Sequence, residues 1–265
     1  MNLKRIGYIC VPALIHAFNA IKMKEEFINK LQVIENSVYR KILKAASFTP
    51  VGTLRGDIGS SLMKTRIIKG KIIYWKSIME GNNELLKEII KNPKCFLNIE
   101  VEKFMKLICM TKEETMNCSK EMIKEKARQW DEKIWIQENN KKKSLEIYNM
   151  FKIKIKEEFY YNKKSSLMIF RMRTNTLNLN DKKRHQQEDT KCPMCHYYNE
   201  DLKHFLLHCP NLEIARINIL FLQRPRIASE NKIIGELLFK KWLEAEPSLF
   251  EMWLKRQKFI ENQIE

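Results

Sequence analysis

Six soft-metal ligand side chains crowd into the eighteen residues from Cys192 to Cys209. Three of the seven cysteines and three of the five histidines in this 265-residue chain lie there, where an even spread would place fewer than one. The order is Cys192-Pro-Met-Cys195, then eight residues, then His204 and Cys209. That spacing suits a tetrahedral zinc ion. Two cysteines separated by two residues form a knuckle whose backbone N–H groups can hydrogen-bond the thiolates, and a His/Cys pair from a following helical turn completes four ligands. Pro193 within the knuckle and Pro210 after the last ligand favour compact turns. His208 is the rival fourth ligand, because His204 and His208 are four apart and share a helix face. Cys209 is preferred, since a thiolate carries charge and suits zinc. His196 reads as a loop residue, and Leu202, Phe205 and Leu206 as the module's own small core. The bland alternative, ordinary buried thiols and surface histidines, fits the density and spacing poorly. Four filled positions leave no place for a water, so the expectation is one structural Zn2+ and not a catalytic one.

The second chemical signal is charge. Lys and Arg number 49 against 32 Asp and Glu, a net charge of +17, which points to a polyanionic partner. Nearly half of that excess lies in Lys141–Lys191, which holds 14 basic and 6 acidic residues. Lys163, Lys164, Arg171, Arg173, Lys182, Lys183 and Arg184 are candidate phosphate contacts, and Tyr160, Tyr161 and Phe170 candidate stacking platforms for unpaired bases. These residues predict a nucleic-acid partner, RNA or DNA and single-stranded. The competing reading is a solvated charged face over a core containing Tyr160 and Phe170. The chain would then be a zinc-stabilised helical scaffold or protein-interaction module whose charge is incidental.

Catalytic chemistry finds little support. Only five residues are Asp (Asp57, Asp131, Asp181, Asp189 and Asp201), and no two are adjacent. Two-metal phosphoryl transfer needs clustered carboxylates to hold its ions, so no enzyme activity is expected. The longest apolar stretch, Ile6–Ile21, is broken by Pro12, His16 and Asn19 and falls short of the roughly 20 residues that span a bilayer. Lys4-Arg5 before a short apolar run and Ala17 and Ala20 after it make a signal peptide the nearer rival. Against secretion stand the scattered Cys10, Cys95, Cys109 and Cys118 and the odd cysteine total. The expectation is an intracellular chain, nuclear or cytoplasmic, with no membrane partner.

The elements that must position these groups read as mainly α. Phe27, Leu31, Ile34, Val38 and Ile42 recur at helical steps and predict an amphipathic helix over Lys24–Lys44, ending before Thr49-Pro50. Gly52, Gly56 and Gly59 mark a turn-rich segment. A second helix runs through Ile67, Ile68, Ile72, Tyr74, Trp75 and Ile78, and Gly81-Asn82-Asn83 ends it and caps a short helix that Asn92-Pro93 closes. Thr111 and Glu114 have capping-box spacing and open a charged helix to about Gln137. Glu138–Lys143 is the linker candidate. Ile147, Phe151, Ile155 and Phe159 predict a helix over Leu145–Tyr161, and Ser248-Leu-Phe-Glu251 starts a terminal helix after Pro247. The expected organisation is a helical segment at 1–110, a helical connector with a basic linker at 111–165, a zinc-binding module at 166–222 and C-terminal helices at 223–265.

A family resemblance joins these pieces. Cys192-Pro-Met-Cys195 with Glu200-Asp-Leu-Lys-His204-Phe-Leu-Leu-His-Cys209-Pro210 resembles the zinc-binding region near the C-terminus of non-LTR retrotransposon reverse transcriptases. Phe170-Arg-Met-Arg173-Thr-Asn-Thr176-Leu-Asn-Leu179 is similar to the lead-in of that region. Leu31–Asn36, Tyr39–Leu43, Thr49-Pro50 and Leu54–Gly59 resemble the helical thumb-side segment that follows the polymerase palm. The resemblance covers roughly residues 6–215 and implies a thumb-like segment followed by a zinc-knuckle module that binds nucleic acid. The family's aromatic-x-Asp-Asp centre has no counterpart, because the chain contains no Asp-Asp. What is implied is a C-terminal fragment or truncated relic without polymerase catalysis, whose apolar start would pack on a missing palm.

Overall fold

The computed structural model describes residues 16–158, 164–181, 189–219, 222 and 228–263. Among them helix dominates, and the one isolated β-bridge joins Lys191 to Asn199. The helices are α1 (Glu25–Ile42), α2 (Val51–Ile58), α3 (Met63–Glu80), α4 (Glu84–Lys91), α5 (Phe96–Leu107), α6 (Lys112–Asn117), α7 (Lys120–Asn140), α8 (Glu146–Phe151), α9 (Lys164–Arg173), α10 (Glu213–Ile217), α11 (Glu230–Phe239) and α12 (Trp242–Glu261). They fall into two compact units. The first takes the described part of Met1–Ile42 with Arg55–Glu138 and Ile155–Glu157, and the second takes Leu43–Leu54, Asn139–Lys154 and the described part of Glu158–Glu265.

This division differs from the four segments expected from sequence. No break falls at 110/111, because Ile108 and Met110 share a core with Ile123 and Ala127 of α7. Nor is 166–222 separate from 223–265. Met168, Ile169 and Met172 of α9 pack in one cluster with Cys192, Cys195 and Cys209, with Ile234, Leu237 and Leu238 of α11, and with Trp242, Leu249 and Met252 of α12. The linker candidate does coincide with a unit boundary, between Glu138 and Asn139. Its first residues nevertheless continue α7, and Asn139 is buried.

In the first unit, Ile68, Ile72 and Trp75 of α3 pack on Leu97, Val101, Phe104 and Met105 of α5. α1 forms where its pattern predicts, yet turned: Phe27 and Ile34 are exposed, and Ile28, Glu35, Asn36 and Tyr39 face inward. A polar network draws that face in. Gln32 accepts the Met63 N–H at 2.8 Å, Glu35 pairs with Arg66 at 2.7 Å, and the Tyr39 and Ser60 hydroxyls meet at 2.6 Å. Burial, reinforced by Glu35, pushes the Tyr39 hydroxyl up to about 12. A buried ion pair, Arg55–Asp131 at 2.6 Å, ties α2 to α7, and the other Asp131 oxygen accepts the Leu62 N–H at 3.1 Å to cap α3. The expected caps are present: Asn83 accepts from Leu86 N–H at 3.1 Å before α4, and Thr111 and Glu114 form a reciprocal box before α6. The box opens only a short helix, which ends at Cys118 before α7 begins.

Three further expectations are corrected. The glycine-rich stretch is helical through α2, and Gly52 within it leaves room for Asn139: a Cβ there would lie 1.9 Å from Asn139 Oδ1. Gly59, at φ +74°, then ends the turn. α8 stops at Phe151, and the next described residues are not helical. Lys152 is buried and pairs with Glu158 at 2.5 Å, residues that a continuing helix would set about 120° apart around its axis and about 9 Å apart along it. The rest of that expected helix, 159–161, lies outside the described residues. α12 begins at Trp242, ahead of Pro247, because Trp242 and Ala245 are core residues whose burial offsets the hydrogen bond the proline removes.

Candidate metal centre

Cys192, Cys195, His204 and Cys209 are all buried, and one ligand atom from each lies within 4.8 Å of the others. The Lys191–Asn199 bridge closes the loop that carries the first two: Cys192 N–H donates to Tyr198 O at 2.7 Å, and His196 N–H to Cys192 O at 2.9 Å. His196 sits at the turn with φ 61° and stays exposed, as a loop residue. Backbone N–H groups of Met194 and Cys195 reach the Cys192 sulfur, and that of Asn211 reaches Cys209, which is the knuckle arrangement.

The second pair comes from His204–His208, a single wide π-type turn. Its defining bond runs from Cys209 N–H to His204 O at 2.8 Å. Five residues along an α-helix would separate these ligands by about 140°, and the wider turn brings them to one side. π-type turns of this kind often mark functional sites. Asp201 Oδ1 caps the turn by accepting His204 N–H at 2.7 Å, and Arg216 closes it by donating to Leu206 O at 2.9 Å and Cys209 O at 2.8 Å. His208 points away from the cluster, exposed and 2.7 Å from Glu230. The fourth member is therefore Cys209.

The donor set fits a thiophilic cation. Cys192 Sγ and Cys209 Sγ are 3.8 Å apart, and Cys195 Sγ lies 3.4 Å from His204 Nε2. A tetrahedral ion with metal–sulfur bonds of about 2.3 Å separates its sulfurs by about 3.8 Å. The mutual hydrogen bond of Cys192 and Cys209 pulls the Cys209 thiol down and, with burial, pushes Cys192 up, so a bound cation would have to displace the proton that the two sulfurs share. Burial holds His204 below the usual imidazole range, in the neutral form a metal needs.

The expected phosphate contacts divide. Lys164 is exposed at the start of α9, and Arg171 is half-buried with one guanidinium N–H donated to Lys44 O at 2.7 Å. Arg173 is corrected: it is buried, donates to Leu238 O at 2.7 Å, pairs with Glu158 at 3.2 Å and lies over the Phe239 ring at 4.7 Å. It is a core residue and cannot meet a surface phosphate. Phe170 is fully buried and cannot stack on a base. Lys163, Lys182, Lys183, Arg184, Tyr160 and Tyr161 lie outside the described residues.

Sequence reasoning named Lys164 and Arg171 but missed Lys44, Phe250 and Trp253, which gather with them around α9. Lys44, Lys164 and Arg171 rim a recess of about 260 Å³ whose wall is Phe250 and Trp253 of α12. Phe250 and Trp253 stand three apart and so share a helix face, the one local signal that paired them. Nothing in the sequence links them to Lys44.

Among the described residues no helix is long and apolar enough to cross a membrane. No family model, curated protein or solved structure matches the chain.

Proposed function

We propose that the second unit is a zinc-organised module that binds single-stranded RNA or DNA through its basic surface, without catalysing a reaction. One observation carries this reading: the metal ligands and the cation-bearing helix share a single core. Met168, Ile169 and Met172 of α9 pack with Cys192, Cys195 and Cys209, while Lys164 is exposed and Arg171 half-buried on the same helix. A metal that closes the ligand loops thereby also sets the position of the cations. Zinc is the ion assigned, because three thiolates and one imidazole at these separations suit it and fill all four tetrahedral positions. The resemblance of the Cys/His segment to the C-terminal region of non-LTR retrotransposon reverse transcriptases supports the same reading, with the chain corresponding to a portion downstream of a polymerase palm.

The test is binding of single-stranded oligonucleotides across a salt series, with and without zinc. Counterion release gives a log–log slope of about −0.7 per phosphate contacted, and replacing Lys164 and Arg171 by Gln should flatten it by one to two contacts' worth. Removing zinc should abolish specific affinity. Weak binding that is equal for heparin and indifferent to zinc would decide for the alternative, a zinc-stabilised scaffold whose charge is incidental.

A further inference from the structure

We propose that the recess between α9 and α12 is a subsite for one unpaired nucleobase, with the flanking phosphates held by Lys44, Lys164 and Arg171. The proposal rests on the nucleic-acid reading above and adds where and how a base is held.

The recess is apolar inside and cationic at its rim. Its aromatic wall is Phe250 and Trp253, Leu177 contributes to its aliphatic lining, and no carboxylate lines it. On α9, Lys164 and Arg171 are seven residues apart, two helical turns, so they share a face about 10 Å apart with the apolar Leu167 and Met168 between them. A ligand lying there meets a cation at each end and an apolar slot in the middle. Lys44 supplies the third charge. It sits at φ 44°, a backbone conformation non-glycine residues seldom adopt, and Arg171 donates to its carbonyl at 2.7 Å. Neither Lys44 nor Lys164 pairs with a carboxylate among the described residues.

The aromatic wall is set in advance. Trp253 meets the Phe205 ring edge-on at 6.2 Å, and the Arg256 guanidinium lies 5.1 Å from its centroid. Phe205 follows the ligand His204, so the tryptophan is positioned by the metal turn itself. At about 260 Å³ the recess is below the roughly 300–1,000 Å³ of pockets for drug-sized ligands. A flat apolar ring attached to anions is the chemistry that matches such a slot, and a nucleotide within a strand has both parts. The lining offers aromatic faces and cations and no amide or carboxylate to read a base edge, so stacking should accept every base with little preference.

The experiment compares the full zinc-loaded chain binding a short oligothymidylate and an oligomer of identical backbone with abasic sites, at equal salt. Stacking on an aromatic wall predicts that the base-bearing strand binds about tenfold tighter. Phe250→Leu and Trp253→Leu should each bring that ratio toward one while leaving affinity for the abasic strand unchanged. Both side chains are half-buried against the core, and Trp253 also meets the Phe205 ring beside the metal turn, so Phe250→Leu is the variant read first, its fold verified by an unchanged thermal melt. A wild-type ratio of one, or a ratio that neither variant moves, overturns the base subsite while charge-driven binding stands. Failure of both strands to bind overturns the nucleic-acid reading as well.

Discussion

Arg256 places two guanidinium nitrogens 2.5 Å from the two carboxylate oxygens of Glu200, and both side chains are buried. Glu200 also accepts the Asn180 N–H at 2.9 Å and precedes Asp201, which caps the His204 turn. A helix near the C-terminal end of the chain therefore grips the loop between the two ligand pairs. Bidentate geometry of this kind fixes orientation as well as charge.

Arg256→Met should destabilise the second unit by about 3–5 kcal/mol, because it strands a buried carboxylate. Adding Glu200→Gln should recover much of that loss, since the amide is neutral and can still accept from Asn180. Urea denaturation followed by tryptophan fluorescence reads both variants. Equal stability of Arg256→Met and the unmodified chain would mean that the pair contributes nothing net.

Cys209→Ser should lower zinc affinity far more than His208→Ala, because Cys209 is in the buried cluster and His208 pairs at the surface with Glu230. Binding and folding are coupled at such sites. A chelator should therefore loosen α9, α11 and α12, which share the ligands' core, and leave the α3–α5 packing protected. Elemental analysis gives the stoichiometry and hydrogen exchange the extent. The reverse order of the two variants would move the fourth ligand to His208.

Glu158 supplies a pH dependence with a definite sign. Burial pushes its carboxyl up, but the hydrogen bond and charge of Lys152, joined by Arg173, outweigh burial and hold it below the ordinary range. A group whose folded value is depressed contributes stability that is present above its unfolded value, about 4.3 for Glu. That stability is lost as pH falls through the lower folded value. Melting temperature should drop over that acid interval, and Glu158→Gln should flatten the drop. An acid limb unchanged by Glu158→Gln would show that other carboxylates carry it.

The buried Cys/His cluster was legible because its members are close in sequence and their chemistry is specific. The choice between His208 and Cys209 rested on ligand chemistry, and helical spacing favoured His208. In the structure Cys209 joins the cluster through a π-type turn, which α-helical spacing does not anticipate. Arg171 and Arg173 looked equivalent, yet two residues on a helix are about 200° apart, so one faces solvent and the other Leu238 and Phe239. α1 was found in place but rotated, since a count of apolar residues cannot weigh Glu35 against an Arg66 waiting on another helix. Lys44 was illegible for a simpler reason: it meets Arg171 across 127 residues.

Lys44 offers the cleanest separation of charge from fold. Its φ of 44° costs a non-glycine residue about 1–2 kcal/mol, and glycine adopts the same backbone freely. Lys44→Gly removes the cation while relieving that strain, and the gain roughly offsets the extra freedom glycine has in the unfolded chain. Stability should change by less than about 1 kcal/mol. The salt slope for single-stranded oligonucleotides should flatten by about 0.7, one phosphate contact. Lys44→Arg should keep both the strain and the slope. Denaturation and salt titration of the same two preparations distinguish the cases: a slope unmoved by Lys44→Gly in a fully stable protein would remove Lys44 from the phosphate path and leave Lys164 and Arg171 to carry it.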